Sequence, residues 1–126
     1  MALMDGMLVL AAILVFIIGA VHSYLGERHI FKRLLILDNL PLLRHDRKYT
    51  ENVIRYAWHL TSIAWWGLAC VIVSLSGTQA NPAVIGLVAG GTLVLTGLVI
   101  IVTAGKRHPA WWLFIVSGSL TIIATC

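Results

Sequence analysis

The chemistry-bearing residues of this 126-residue chain are few, and five of them belong together: His22, Glu27, Arg55, His59 and His108. Neutral imidazole binds zinc, copper and iron, and it is also a general acid or base near neutral pH. On a helix, Gly19, His22, Gly26 and His29 recur at spacings of three and four and share one face. Glu51, Arg55 and His59 recur every four residues, beside the row Asn52, Tyr56 and His59. Glu51 precedes Arg55 in the favourable orientation for a helical ion pair.

Two cofactor readings are open. In the first, His22 and His59 are axial ligands of a b-type haem held between two helices. Gly19 and Gly26 then leave space for the macrocycle, while Arg55 or Arg28 holds a propionate. In the second, His22, His59 and His108 join Glu27 in a three-histidine, one-carboxylate site for zinc, iron or copper. No HxxxH, HExxH or CxxC motif accompanies either reading. The rival without a cofactor is a hydrogen-bonded polar belt in a small structural, partner-binding or lipid-binding membrane protein. A proton or cation path built across an oligomer, and a lipid-modifying enzyme using His as acid or base, complete the set. No enzyme class follows from the spacing.

Four apolar runs must position these residues, at about 7–25, 53–74, 83–104 and 110–125. Helices of about 20 residues cross a bilayer core, which the first three reach and the fourth falls short of. The runs are continuous rather than alternating, which excludes barrel strands. The first run carries Asp5 in place of a basic start and is read as a retained helix, not a cleaved leader. The expected fold is all-α: one integral-membrane domain, a compact four-helix bundle.

Charge orients it. All nine Lys and Arg, and all five His, fall on the side of the connections between helices one and two and between helices three and four. The opposite side has Asp5 as its one charged side chain. By the positive-inside rule both termini lie outside, and the chain is a multi-pass protein of a bacterial plasma membrane. The net charge of +4 therefore points to anionic headgroups of the inner leaflet, not to nucleic acid. His22 and His59 then sit at similar depth near the inner boundary, with His108 close to that level.

The connection from Gly26 to Thr50 mixes Ile30, Phe31, Leu34 and Leu35 with Arg28, Lys32 and Arg33. That pattern suits an amphipathic helix on the membrane surface or a continuation of helix one, ended by Pro41. Asn81-Pro82 and His108-Pro109 start helices three and four, and Gly105 closes helix three. Ser76-Gly77-Thr78-Gln79 forms the outer turn. Gly86-x-x-x-Gly90 with Gly91 and Gly97, and Ser117-Gly118-Ser119, are close-contact faces for the bundle or for a homo-oligomer. Trp58, Trp111 and Trp112 suit an interfacial belt, and the deeper Trp65 and Trp66 suit packing on the helix-three glycines or a cofactor wall. Cys70 and Cys126 are expected to be free thiols.

Overall fold

A computed structural model describes residues 2–77 and 80–126, so Thr78 and Gln79 of the expected outer turn lie outside the described residues. All regular structure among those residues is helical: α1 (Ala2–Leu34), α2 (Arg47–Ser74), α3 (Pro82–Ala104) and α4 (Ala110–Thr125), with a short 3₁₀ turn at Leu43–His45 before α2. The first three are long and apolar enough to cross a membrane. Helix α4 has 16 residues and spans only about 24 Å.

Both long helices start or end beyond their apolar runs. Helix α2 begins at Arg47 because Asp46 caps it, its carboxylate accepting from Tyr49 N at 3.0 Å. Hydropathy hides this first turn, since Lys48, Thr50, Glu51 and Asn52 are polar. Helix α1 continues past Leu25 through one π-helical turn, Gly26–Ile30, into the α-helical Phe31–Leu34. Of the two expectations for this stretch, continuation is the one observed. The helix stops well before Pro41. Its terminal carbonyls meet Arg47 instead, whose Nη2 donates to Leu35 O at 2.7 Å and Leu37 O at 3.1 Å. A cation on helix-end carbonyls satisfies orphan acceptors and complements the dipole.

Packing follows chain order. Helix α1 lies on α2, α2 on α3 and α3 on α4, and among the described residues α1 makes no comparable contact with either of the last two. The helices thus pack as a row in chain order, where a compact four-helix bundle was expected. The α1–α2 seam is built at seven-residue intervals from Asp5, Ala12, Gly19 and Gly26. Ala12, Gly19 and Gly26 are buried, and Asp5 accepts from Gly77 N at 2.9 Å. Small residues at heptad spacing let two backbones approach along a shallow crossing.

The glycine face of α3 is used within the chain. A Cβ on Gly86 would strike Thr125, one on Gly90 would strike Gly118 O and Ile122, and one on Gly97 would strike Ile115 and Trp111 O. Gly91 faces open space. Asn81 caps α3, its side chain accepting from Ala83 N at 2.9 Å, and Gly105 ends it with φ +73°. Tyr49, Tyr56, Ile100 and Ala104 form the buried core between α2 and α3. Cys70 and Cys126 are exposed free thiols.

Candidate functional site

The polar residues of α1 and α2 meet on the seam between these helices. On α2, Arg55, His59 and Ser62 recur at i, i+4 and i+7; on α1, Ser23 and Glu27 are one turn apart. The π turn begins at Gly26, and π turns recur at functional sites because they re-aim side chains.

His59 is the centre. Its Nδ1 lies 2.8 Å from Ser23 Oγ and its Nε2 lies 2.8 Å from Glu27 Oε1. Ser23 Oγ is also 2.7 Å from Ser62 Oγ, which is almost fully buried. Glu27 Oε1 also meets the Arg55 guanidinium, with Nε at 3.2 Å. The guanidinium covers the ring of Phe31, a residue only 2% exposed whose edge meets both Trp58 and His59. The order is therefore Ser62, Ser23, His59, Glu27, Arg55, running from a closed interior end to a half-exposed mouth.

The proton positions follow from what each group can do. Beside the Glu27 carboxylate, neutral His59 carries its proton on Nε2 and donates it to Oε1. Its Nδ1 then accepts from the Ser23 hydroxyl, whose oxygen also lies in contact with Ser62 Oγ. When His59 is doubly protonated, both ring nitrogens donate, and the Ser23 hydroxyl turns toward Ser62. Both states keep every contact, with only hydroxyl protons reorienting.

A cavity of about 250 Å³ adjoins the relay between α2 and α3. Asn52, Arg55, Tyr56 and His59 line one side, and Val99, Val102 and Thr103 line the other. Arg55 and His59 belong to both relay and cavity. Val102 is 84% exposed, so the valine side opens outward along the helix surface.

The remaining expected site residues go elsewhere. His22 lies flat on Trp58, with centroids 4.3 Å apart, and meets the edge of Trp65. Its Nε2 is buried without a hydrogen-bond partner among the described residues. His108 serves α4 and the core: Nδ1 accepts from Ala110 N at 3.3 Å, so Nε2 carries the proton and donates to Tyr56 Oη at 2.7 Å. His22, Glu27, His59 and His108 are thus not brought together as one ligand set. Among the described residues, no three His, Cys, Asp or Glu side chains are placed to share a metal ion.

The space expected for a macrocycle is filled by tryptophan. Gly19 and Gly26 do flank His22, but a Cβ on the first would strike Trp66 and one on the second would strike Trp58. The indoles donate back to α1, Trp58 to His22 O at 2.9 Å and Trp66 to Phe16 O at 3.1 Å. Trp65 and Trp66 therefore face α1, where packing on the helix-three glycines was one expectation. The expected Glu51–Arg55 pair is also replaced. Glu51 binds Arg47 at 2.9 Å and Arg55 turns across the seam to Glu27.

Ser23 and Ser62 are the site residues that residue-type reasoning missed. A signal was present: Ser23 lies one turn from Glu27, and Ser62 lies one turn past His59 on the face carrying Arg55. Hydroxyl residues in apolar helices are ordinarily satisfied by their own backbone, as Ser74 is by Cys70 O at 2.7 Å, so they draw little notice. Comparison of the chain with protein-family models, curated proteins and solved structures gives no match.

Proposed function

We propose that this chain is a multi-pass protein of a bacterial inner membrane, with both termini outside, and that it holds an anionic amphiphile at the inner-leaflet face. The positive-inside pattern supports the orientation: Arg28, Lys32, Arg33, Arg44, Arg47, Lys48, Lys106 and Arg107 flank the same helix ends as the relay.

One observation carries the ligand class. The cavity presents Arg55, His59 and Asn52 on one side and valine on the other, and it opens past the exposed Val102. Arg55 uses Nε toward Glu27, and its terminal nitrogens make no hydrogen bond among the described residues. Two forked N–H donors beside an imidazole suit phosphate or carboxylate oxygens. The valine wall suits the first carbons of an acyl chain, and the inner leaflet supplies such molecules.

The test is native mass spectrometry of the detergent-purified protein with phosphatidylglycerol and phosphatidylcholine of matched chains. Retention of phosphatidylglycerol over phosphatidylcholine, lost in Arg55→Gln, is the expected result. Equal retention of both lipids, or an unchanged preference in Arg55→Gln, overturns the assignment.

A further inference from the structure

We infer that Ser23 is an acyl-transfer nucleophile, with His59 as its general base and Glu27 orienting the imidazole, acting on an ester of the amphiphile class proposed above. The inference rests on that reading only for its substrate; the nucleophile is argued from the relay itself.

The relay has the arrangement by which an activated hydroxyl is recognised: nucleophile on base, base on orienting carboxylate. Both links are 2.8 Å. Ser23 meets Nδ1 and Glu27 meets Nε2, so the ring is reversed relative to the familiar triad order. The chemistry is indifferent to that, because either nitrogen of a neutral imidazole accepts once the other carries the proton. Glu27 fixes the tautomer that leaves Nδ1 free to accept. Ser62 Oγ lies 2.7 Å from Ser23 Oγ, and once Ser23 directs its proton to Nδ1 the Ser62 hydroxyl is free to turn and donate to it.

Three features separate this relay from an ordinary polar belt. A hydroxyl in an apolar helix is satisfied by its own backbone carbonyl four residues earlier, as in Thr92, Thr103, Thr121 and Thr125 of this chain. Ser23 bonds across the seam instead. Secondly, His59 and Glu27 are both partly open, at 28% and 45% side-chain exposure, so the base is not sealed from water or lipid. Thirdly, His59 and Arg55 also line the cavity between α2 and α3, so the base borders both that cavity and Ser23.

The steps balance without an added co-reactant. Ser23 Oγ bonds to the ester carbonyl carbon while its proton passes to His59 Nδ1. The tetrahedral adduct collapses, the carbon–oxygen bond to the alcohol breaks, and the leaving oxygen takes the proton from His59. Water then attacks the acyl-serine and gives a proton to His59, and Ser23 Oγ leaves and recovers it. Ester and water become carboxylic acid and alcohol.

An alkyl fluorophosphonate reports the nucleophile directly, because it phosphonylates activated serine with loss of fluoride. The detergent-purified full chain should gain one adduct, mapped by peptide mass spectrometry to Ser23. Labelling should vanish in Ser23→Ala and slow at least about a hundredfold in His59→Ala, the scale of general-base assistance. Glu27→Gln, which keeps the shape of the side chain, should slow labelling with an unchanged thermal transition. Ser74→Ala, which removes a hydroxyl bonded to its own helix backbone, should label as wild type. A folded wild-type chain that gains no adduct at Ser23, or equal labelling rates in wild type and a folded His59→Ala, overturns the inference.

The two readings fail separately. The probe has no anionic headgroup and does not need the Arg55 clamp. Absent labelling in a chain that still prefers phosphatidylglycerol overturns the nucleophile alone. Lost lipid preference with labelling intact overturns the amphiphile site alone.

Discussion

The imidazole of His22 lies against the indole of Trp58 with their planes 3° from parallel. This contact decides which residue of the His22–Ser23 pair faces the chemistry. Stacked on Trp58 and meeting the edge of Trp65, His22 packs the seam, and its neighbour Ser23 reaches His59. Offset aromatic pairs of this kind contribute about 0.5–1.5 kcal/mol beyond area burial. His22→Phe should therefore retain most of the thermal stability and leave fluorophosphonate labelling intact. His22→Ala should lower the melting temperature. Differential scanning fluorimetry in detergent separates the two.

The glycines of α1 make a sharp contrast with one glycine of α3. Gly26→Ala places a methyl group against the Trp58 indole and Gly91→Ala places it in open space. The first should destabilise by about 1–3 kcal/mol, as overpacking typically does. The second should be neutral or stabilising by up to about 1 kcal/mol, from helix propensity alone. Thermal unfolding of the two variants side by side checks the seam.

Glu27 should matter more to reactivity than to stability. Its pair with Arg55 has both side chains about half exposed, a setting in which ion pairs contribute less than about 1 kcal/mol. Glu27→Gln should leave the thermal transition nearly in place. Serine labelling should fall in the same variant, since the amide no longer stabilises an imidazolium.

Tyr56→Phe tests the second histidine. His108 donates to Tyr56 Oη in a nearly closed setting, with Tyr56 only 6% exposed. Removing the acceptor leaves the half-buried His108 N–H unpaired, which costs at most about 1–3 kcal/mol. The loss should show as a lower melting temperature than that of the wild type in the same detergent.

Orientation is testable with thiols. In intact spheroplasts a membrane-impermeant maleimide should reach Cys126 but not Arg44→Cys, which should react only after permeabilisation. The reverse pattern would overturn the topology.

Much of this architecture is legible in the sequence, and the reasons are physical. Apolar runs, Asn81-Pro82 and Gly105 locate helices because hydropathy and capping act within a few residues. Glu27, Arg55 and His59 are readable as one layer because depth follows from distance along each helix. Rotation is different. It depends on whether α1 stays α-helical through Gly26–Ile30, on where Trp58 and Trp66 find room, and on whether Arg47 or Arg55 takes Glu51. Each is decided across the seam by side chains distant in sequence. That is why His22 reads as a site residue and Ser23 does not. Closure of the bundle also lies beyond periodicity, since an open row and a ring of helices have the same apolar pattern.

The π turn of α1 has a consequence for length changes in this helix. Its widened loop holds one residue more than α geometry requires, so the surplus is absorbed locally. Deleting Arg28 would let the turn relax to ordinary α geometry and leave Phe31 on its present face, between Trp58 and Arg55. Deleting Ile17, inside the regular part of the helix, would instead turn one half against the other by about 100°. Asp5 and Ala12 would then leave the face that carries Gly19 and Gly26. A deletion scan along α1 would thus find its tolerant window at 28–30, past the seam glycine and the relay carboxylate, where the helix carries slack.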